Sequence, residues 1–325
     1  MNNISPQVPQ DPIAFTTGYA IAPTSNEIDL RELFSAVWAG KWLIMAVTFV
    51  FAIASVVIAL MLPNIYKSEA LLAPANVEQQ GGIGALASQF GGLASMAGLN
   101  LGGGSSIDKT QLAISVLKSR QFTSNFIKDH DILPQLMAAE SWNQSDDSLA
   151  YDKSLYDSSK QLWVREVEAP KQPKPSPQEA YKTFSEIIEV QVDKDTGLVR
   201  ISIEHLSPTI AQQWVTWLIE DINAEMKKRE VSEAIKSTEF LEKQISETNV
   251  ADIRTVLYQL IEEQTKTIMF AEVRDEYVFK TIDPAIVAEE KFKPKRALVC
   301  IVGTLFGGFL ASLFVLIRFF LRKAD

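Results

Sequence analysis

Two long uncharged stretches dominate the pattern of apolar and polar residues along this chain. They cover residues 42–62 and 297–317, and each is 21 residues long. Because a helix rises about 1.5 Å per residue, each stretch covers about 30 Å, the thickness of the hydrocarbon core of a bilayer. The first stretch begins too late and is too long to be a cleaved signal peptide. The sequence therefore predicts two transmembrane helices.

The two predicted spans separate a large domain at 63–296 from an N-terminal tail at 1–41 and a short tail at 318–325. An even number of spans places both tails on the same side of the membrane. Five basic residues lie close to the spans on the tails and six on the loop side, so the positive-inside rule does not decide the orientation. The large domain holds the whole net charge of −9 and is expected to be the working part.

Alternation of apolar and polar residues predicts strands in the large domain. Residues 190–193 and 199–204 alternate in this way, and the turn at 194–197 between them indicates a half-buried hairpin. Residues 66–73 have the composition of a strand directly after the first span. Residues 277–282 are predicted to be a strand that leads back to the membrane.

Two shorter helices and a connector are also predicted. Apolar residues recur with roughly helical spacing in residues 109–129. A second helix is expected at 176–187, with Ser176 as its N-cap ahead of Pro177. Residues 134–180 are poorly patterned and contain four prolines within eight positions, which predicts an extended or turning connector.

A long helical arm is predicted at about 207–272. Apolar residues recur at threes and fours from Ile210 to Ile245 and, after a break near Thr248, again as far as Met269. The first run, of about 38 residues, would be about 57 Å long, which is too long for a compact domain. Part of its apolar stripe is expected to pack within the chain and part against neighbouring copies. The candidate oligomer-contact residues are Trp214, Trp217, Ile222, Met226 and Leu241.

Residues 81–106 have an unusual composition, because none is charged and nine of the 26 are glycine. Glycine makes unusual backbone angles accessible and raises the entropy that is lost on ordering, so we expect a mobile loop with an apolar tip. The glycines at 102–104 are not followed by the Lys-Ser/Thr pair of a P-loop. Nucleotide binding is therefore not expected here.

No pattern of a known catalytic or metal site occurs. His130 and His205 lack a second His or a Cys at metal-ligand spacing, and Cys300 is the only cysteine. Carboxylates that are neighbours in the sequence, such as Glu262 and Glu263, are expected to lie in solvent. The net charge of −9 argues against nucleic-acid binding. The spans contain no ionisable residue, which argues against ion transport. We therefore expect no enzyme, no cofactor and no metal.

Small residues are concentrated in the second predicted span. Gly303, Gly307, Gly308 and Ala311 are spaced so that another helix backbone can approach closely. They are candidate positions for transmembrane helix packing, and generic packing against lipid is the alternative.

Five segments, in their order and spacing around the two spans, resemble the polysaccharide co-polymerases of the chain-length determinant (Wzz) type. The segments are IDLRELFSAVWAGKWLI (28–44), YKSEALLAP (66–74), LKSRQFTSNFIKDHDI (117–132), DTGLVRISIEHLSPTIAQQW (195–214) and IDPAIVAEEKFKPKR (282–296). The family usually has more prolines before the second span than the candidate juxtamembrane pair Pro284 and Pro294.

The resemblance implies an α+β base domain with a long protruding helix, held in the bacterial inner membrane by two transmembrane helices. Both termini would be cytoplasmic and residues 63–296 periplasmic. It implies homo-oligomeric, octamer-like rings that set, without catalysis, the modal length of lipopolysaccharide O-antigen or a related glycan. The implied partners are a Wzy-type polymerase and the nascent lipid-linked polysaccharide. Because the chain stops about eight residues after the second span, class 1, which has no kinase domain, is expected.

Two other functions stay open at this point. The chain could be a membrane adaptor that activates a separate tyrosine kinase in capsule or exopolysaccharide export. It could also be an exporter subunit or a periplasmic adaptor.

Overall fold

The computed structural model describes residue 34 and residues 37–75 and 105–324. Most of the N-terminal tail and most of the glycine-rich segment at 81–106 lie outside these residues. The loop predicted for that segment therefore stays a prediction. Only Ser105 and Ser106 of the segment are described, and they begin a helix.

The described residues form helices and strands in mixed order. The helices are α1 (Lys41–Met61), α2 (Ser105–Leu117), α3 (Arg120–Asp129), α4 (Leu133–Met137), α5 (Pro177–Ile187), α6 (Pro208–Glu247), α7 (Ala251–Val273) and α8 (Arg296–Ala324). The strands are β1 (Tyr66–Pro74), β2 (Ala139–Asn143), β3 (Ser148–Tyr151), β4 (Tyr156–Asp157), β5 (Leu162–Trp163), β6 (Ile188–Val192), β7 (Val199–His205) and β8 (Phe279–Asp283). The fold class is therefore α+β, as expected.

The chain divides into two compact units. The transmembrane unit takes in α1 up to Ser55 and α8 from Cys300, and the body comprises Val56–Val299. Helix α1 and residues Arg296–Leu321 of α8 are long and apolar enough to cross a membrane. Helix α1 agrees within one residue with the predicted span. Helix α8 is longer than predicted, because a helix does not end where its apolar stretch ends.

The body is built on a four-stranded antiparallel sheet with the strand order β6-β7-β1-β8. Strand β7 lies between two partners, so that Ile201 pairs with Ala70 of β1 on one side and with Val190 of β6 on the other. Alternate residues of β7 (Val199, Ile201 and Ile203) are fully buried. The antiparallel pairing of β6 with β7 confirms the predicted hairpin, and Ser202 is buried as well, so β7 is covered more fully than a half-buried strand.

Helix α6 packs its first five turns on this sheet. Ser207 caps the helix, because its side chain accepts a hydrogen bond from the amide of Ile210. Trp214 and Ile222 are fully buried and Met226 is 4% exposed, so all three belong to the core of the subunit itself. Their assignment as oligomer-contact residues is therefore wrong. An apolar stripe shows that one face of a helix is covered, but not what covers it.

The predicted connector at 134–180 contains more structure than its pattern indicates. Helix α4 and two small ribbons, β2 with β3 and β4 with β5, precede the proline-rich part. The ribbons have only two to five residues per strand and largely exposed side chains, so they show little alternation. Helix α5 then begins after Ser176, whose capping box with Glu179 confirms the predicted N-cap.

Arg165 fastens the proline-rich segment to α5. Its guanidinium donates to both carboxylate oxygens of Glu179, at 3.1 and 2.9 Å. It also donates to the backbone oxygens of Gln172 and Pro173. The hydrogen bonds from Arg165 and from the amide of Ser176 lower the pKa of Glu179 to about 2. Glu179 therefore stays charged and holds this segment at neutral pH.

Asn223 of α6 holds the start of β8. Its side-chain oxygen accepts hydrogen bonds from the amides of Val278 and Phe279, at 2.8 and 2.9 Å. Its amide nitrogen donates to the carbonyl of Phe279 at 3.1 Å. The side chain thus satisfies three backbone groups that would otherwise be buried without partners. No periodic pattern in the sequence marks this residue.

Replacing Asn223 by Ala should lower the free energy of unfolding by about 3 kcal/mol, because each buried group left unpaired costs about 1–3 kcal/mol. Urea unfolding of the full-length protein in detergent, followed by tryptophan fluorescence, measures the change. The control Ser232→Ala alters an exposed residue of the same helix and should change the value by less than about 0.5 kcal/mol. Equal effects of the two substitutions would contradict this role of Asn223.

His205, at the end of β7, is buried as a neutral ring. Its Nδ1 accepts a hydrogen bond from the amide of Ser207 at 3.1 Å, and its Nε2 lies 3.2 Å from the carbonyl oxygen of Gln135. These partners require that Nε2 carries the proton. Burial lowers the pKa of His205 below its usual value of 6.5. The expected structural role of this histidine agrees with these contacts.

The unfolded protein should therefore bind a proton at position 205 before the folded protein does, as the pH falls. We expect the free energy of unfolding to decrease below about pH 6.5, where the histidine of the unfolded chain becomes charged. Urea unfolding between pH 7.5 and 5.5 tests this, with the variant His130→Gln as background. Adding His205→Gln should flatten the pH dependence, and an unchanged slope would refute this assignment.

Candidate assembly surface

The distal part of α6 and the whole of α7 form a two-helix arm. Helix α6 has 40 residues and is about 60 Å long. Beyond Met226, its buried residues are Ala234 and Ile245, and Ala271 is the buried residue of α7. The two helices pack on each other. The arm therefore has almost no core of its own.

The arm exposes much apolar surface. The exposed apolar residues of this arm surface are Ile235, Phe240, Ile253, Val256, Tyr258, Leu260, Met269, Phe270 and Val273. Ile253, Val256 and Leu260 follow the 3-4 spacing of a coiled-coil seam on α7 and are 49, 54 and 43% exposed. Extended exposed apolar patches mark sites of protein contact. The arm surface is therefore the candidate functional site of the body.

Polar contacts fix the foot of the arm to the rest of the body. Lys109 of α2 lies 2.5 Å from the carboxylate of Glu230 on α6. Burial, and then the hydrogen bond to Glu230, raise the pKa of Tyr277 well above its usual value of 10, so its hydroxyl remains a donor. Lys227 donates to two carbonyl groups at the end of α7, both at 3.4 Å. These contacts join α2, α6 and α7 at one place.

A shallow open groove of about 440 Å³ lies along α6 near this foot. Its lining residues are Glu225, Lys228, Arg229, Ser232, Glu233 and Lys236. Acidic and basic side chains alternate along it, and Arg229 pairs with Glu225 at 2.6 Å. This lining suits a polar partner that forms hydrogen bonds, and not an apolar ligand.

The two remaining candidate oligomer-contact residues, Trp217 and Leu241, are half-buried. The ring of Trp217 stacks on His130 with 4.2 Å between the ring centroids, and His130 in turn contacts Asp221 at 2.9 Å. Trp217 is therefore engaged within the subunit. Most of the exposed apolar residues of the arm surface lie on α7, and Ile235 and Phe240 add to it from α6.

The small residues of α8 face α1 within the transmembrane unit. The residues of α1 that they meet are Ser55 for Gly303, Phe51 for Gly307 and Thr48 for Gly308. A Cβ atom at Gly303 would lie 2.5 Å from the Cβ of Ser55, and one at Gly307 would collide with Phe51. Ala311 is 2% exposed. These residues permit close approach of the two spans of one chain, and a contact with the spans of other copies stays a prediction.

The candidate juxtamembrane prolines lie between β8 and α8. Pro284 is exposed, whereas Pro294 is half-buried and follows a cis peptide bond to Lys293. Neither side chain has hydrogen-bonding atoms, so both act through the path of the backbone. A functional role for this pair stays a prediction.

Several carboxylates of the described residues take part in ion pairs and hydrogen bonds that lower their pKa. The hydrogen bond from Lys266 lowers the pKa of Glu262, and a hydrogen bond from the amide of Lys160 lowers that of Asp157. A general acid at neutral pH needs a raised pKa instead. Within residues 37–75 and 105–324, no cluster of three His, Cys, Asp or Glu side chains could hold a metal ion.

Family models place the chain among known proteins. Residues 26–130 match the model described as chain length determinant protein (Wzz). The chain carries a Wzz chain-length determinant domain. The resemblance found in the sequence is thus confirmed. Residues 248–320 match a second model, GNVR, a G-rich domain named for its place on tyrosine kinases, and this range includes α7.

Individual proteins are also similar to this chain. A stretch of 53 residues is 43% identical to the ferric enterobactin transport protein FepE of Escherichia coli (strain K12), over 16% of this chain and 14% of that protein. The match thus spans about one seventh of the length of this relative. A full-length bacterial polysaccharide co-polymerase aligns with a TM-score of 0.38 and 15% identity, over 91% of this chain and 99% of that one. A fragment of WzzB, a polysaccharide co-polymerase from Salmonella Typhimurium, aligns with a TM-score of 0.28 and 12% identity, over 71% and 100%.

Replacing Val256 and Leu260 together by Glu should weaken assembly, because contact between arms would then bury two unpaired charges. Light scattering on the full-length protein in detergent should give several times the chain mass of 36.1 kDa for the wild type and a smaller mass for this variant. The matched control is Thr255→Glu with Gln259→Glu, which adds the same charge at exposed positions beside the seam. Equal masses for the two double variants would exclude the arm surface as the contact.

Proposed function

We propose that this protein is a non-enzymatic regulator of the modal chain length of lipopolysaccharide O-antigen or a related surface polysaccharide. The chain-length determinant domain at 26–130 is the observation that supports this function most directly. The arm adds a physical means, because it leaves apolar residues uncovered in a single subunit. The protein would act by the shape of an assembly, and no side chain would take part in glycan transfer.

The proposed assembly is a homo-oligomeric ring, octamer-like by resemblance, in which neighbouring arms cover each other's apolar surface. Its partners would be a Wzy-type polymerase and the nascent lipid-linked polysaccharide. The ring would offer a polar surface, such as the groove along α6, to a glycan whose hydroxyl groups form hydrogen bonds. The size of this surface would then limit how far the polymerase extends a chain.

The proposed location is the bacterial inner membrane, with both tails in the cytoplasm and residues 63–296 in the periplasm. Two helices with the length and composition of membrane spans support the insertion. Thiol labelling of intact cells tests the orientation through Asp195→Cys in a Cys300→Ser background, because Asp195 is exposed in the hairpin turn. Labelling only after the inner membrane has been opened would overturn the proposed location.

Deleting the gene should change the lipopolysaccharide of the native host from one modal length to a broad ladder on a gel. Restoring the wild-type gene should restore the modal length, since the assembly returns. The variant with Glu at positions 256 and 260 should fail to do so, whereas the variant with Glu at 255 and 259 should succeed. An unchanged ladder after deletion, with no other surface glycan altered, would refute the proposed function.

The GNVR match at 248–320 favours a second candidate, a membrane adaptor that activates a separate tyrosine kinase in capsule or exopolysaccharide export. This function predicts that the deletion strain loses tyrosine phosphorylation of a partner protein, together with exported polysaccharide. An immunoblot for phosphotyrosine in the same strains separates the two functions. If tyrosine phosphorylation is unchanged while the lipopolysaccharide ladder is altered, the result favours chain-length regulation over kinase activation.

A further inference from the structure

The two segments that join the body to the membrane helices are paired with each other. The amide of Ile65 donates to the carbonyl of Lys293 at 2.9 Å, and the amides of Phe292 and Lys293 donate to the carbonyl of Ile65 at 2.8 and 3.1 Å. We call residues 63–67 and 291–296 the collar. The collar is thus an ordered part of the body and not a pair of loose linkers.

Two of the lysines in the collar are already neutralised by carboxylates of the sheet. Lys67 lies 2.9 Å from Glu189, and Lys293 lies 2.6 Å from Glu204. Both ammonium groups also lie over the ring of Phe292, at 5.0 and 5.3 Å from its centroid. These two charges therefore serve the packing of the collar itself.

The other basic residues of the collar are not compensated. Among the described residues, no carboxylate lies within ion-pair distance of Lys291, Lys295 or Arg296. Arg296 donates one Nη2 hydrogen bond to the side-chain oxygen of Asn64, at 3.2 Å. Its Nε is buried and has no partner in the described part of the chain. The guanidinium is thus held in place by Asn64, and only its Nη groups can present donors to a ligand.

The position of Arg296 along the chain puts it at the membrane surface. It is the first residue of α8, whose apolar stretch follows at once, and Asn64 lies three residues after the end of α1. The polar layer on each side of a bilayer is only about 5–7 Å thick beyond the hydrocarbon core. When both helices span the membrane, the side chains of Asn64, Lys295 and Arg296 lie at the depth of the lipid phosphates. This holds for either orientation of the protein.

We propose that Arg296, oriented by Asn64 and assisted by Lys295, binds the phosphate group of an anionic lipid headgroup. A guanidinium presents a planar fork of donors that matches two phosphate oxygens, and an ammonium adds a point charge beside it. A guanidinium already held by Asn64 loses little freedom on binding. The site goes beyond chain-length regulation, because it concerns the lipids that surround the protein.

Full-length protein in a zwitterionic detergent, titrated with phosphatidylglycerol and observed by native mass spectrometry, tests the site. The wild type should bind phosphatidylglycerol more tightly than phosphatidylcholine. Arg296→Gln should weaken phosphatidylglycerol binding about fivefold, the factor expected for one basic residue at a membrane surface. Arg296→Lys should weaken it less, because the charge remains without the fork. Lys174→Gln, at an exposed position in the proline-rich segment, is the matched control and should bind like the wild type.

Asn64→Ala distinguishes a positioning role from charge alone. It leaves every basic residue in place and should still weaken phosphatidylglycerol binding, because the guanidinium is no longer oriented. Tryptophan fluorescence and light scattering on each variant show whether the fold and the assembly are retained. Equal binding of the two lipids by the wild type, or unchanged binding by Arg296→Gln, would overturn the proposal. Competition by inorganic phosphate at the same concentration as the lipid would also overturn it, because the site would then accept a free anion.

Discussion

The packing of the first five turns of α6 on the four-stranded sheet determines the direction of the arm, which consists of the rest of α6 and of α7. Trp214, Leu218 and Ile222 are fully buried there, and burial of such a side chain contributes about 2 kcal/mol. Once these turns are fixed, the helix continues beyond the body with its backbone hydrogen bonds satisfied internally. Asn223 and Lys109 add polar contacts at the point where support ends. One helix thus belongs to the core in its first half and to the arm in its second half.

The arm consequently buries few side chains of its own. Its buried side chains are Ala234, Ile245 and Ala271, two of which are small. Helices gain most of their stability in proteins from packing of an apolar face, and regions with few buried apolar contacts open most readily. The apolar residues of α7 that could provide such packing face outward in the single subunit. A neighbouring arm would supply the missing burial, so arm stability and assembly are expected to be coupled.

The sequence predicts the elements with strong periodicity and misses those held by single contacts. The hairpin β6–β7 follows from the alternation of apolar and polar residues, and helix α6 follows from apolar residues three and four positions apart. Ser176 and Ser207 mark the starts of α5 and α6. The ribbons β2–β5 are too short and too exposed to show a period. Asn223 and Arg165 act through partners that the sequence pattern does not reveal. The prediction of oligomer-contact residues in the first half of α6 was wrong for a related reason. An apolar stripe shows that a helix face is covered, but not whether a sheet of the same chain or another copy covers it.

The distribution of charge explains why the arm is suited to contact between copies. Each chain carries a net charge of −9, and copies brought together repel one another wherever like charges lie within the screening length of about 8 Å. Residues 227–274, which contain most of the arm, hold eight basic and nine acidic residues and therefore contribute only −1 of this total. The groove along α6 shows the same balance, with two acidic and three basic side chains. Arms can therefore approach without the repulsion that the remainder of the chain would cause. The uncovered apolar residues of α7 lie on this nearly neutral part, so burial there is opposed by little electrostatic work.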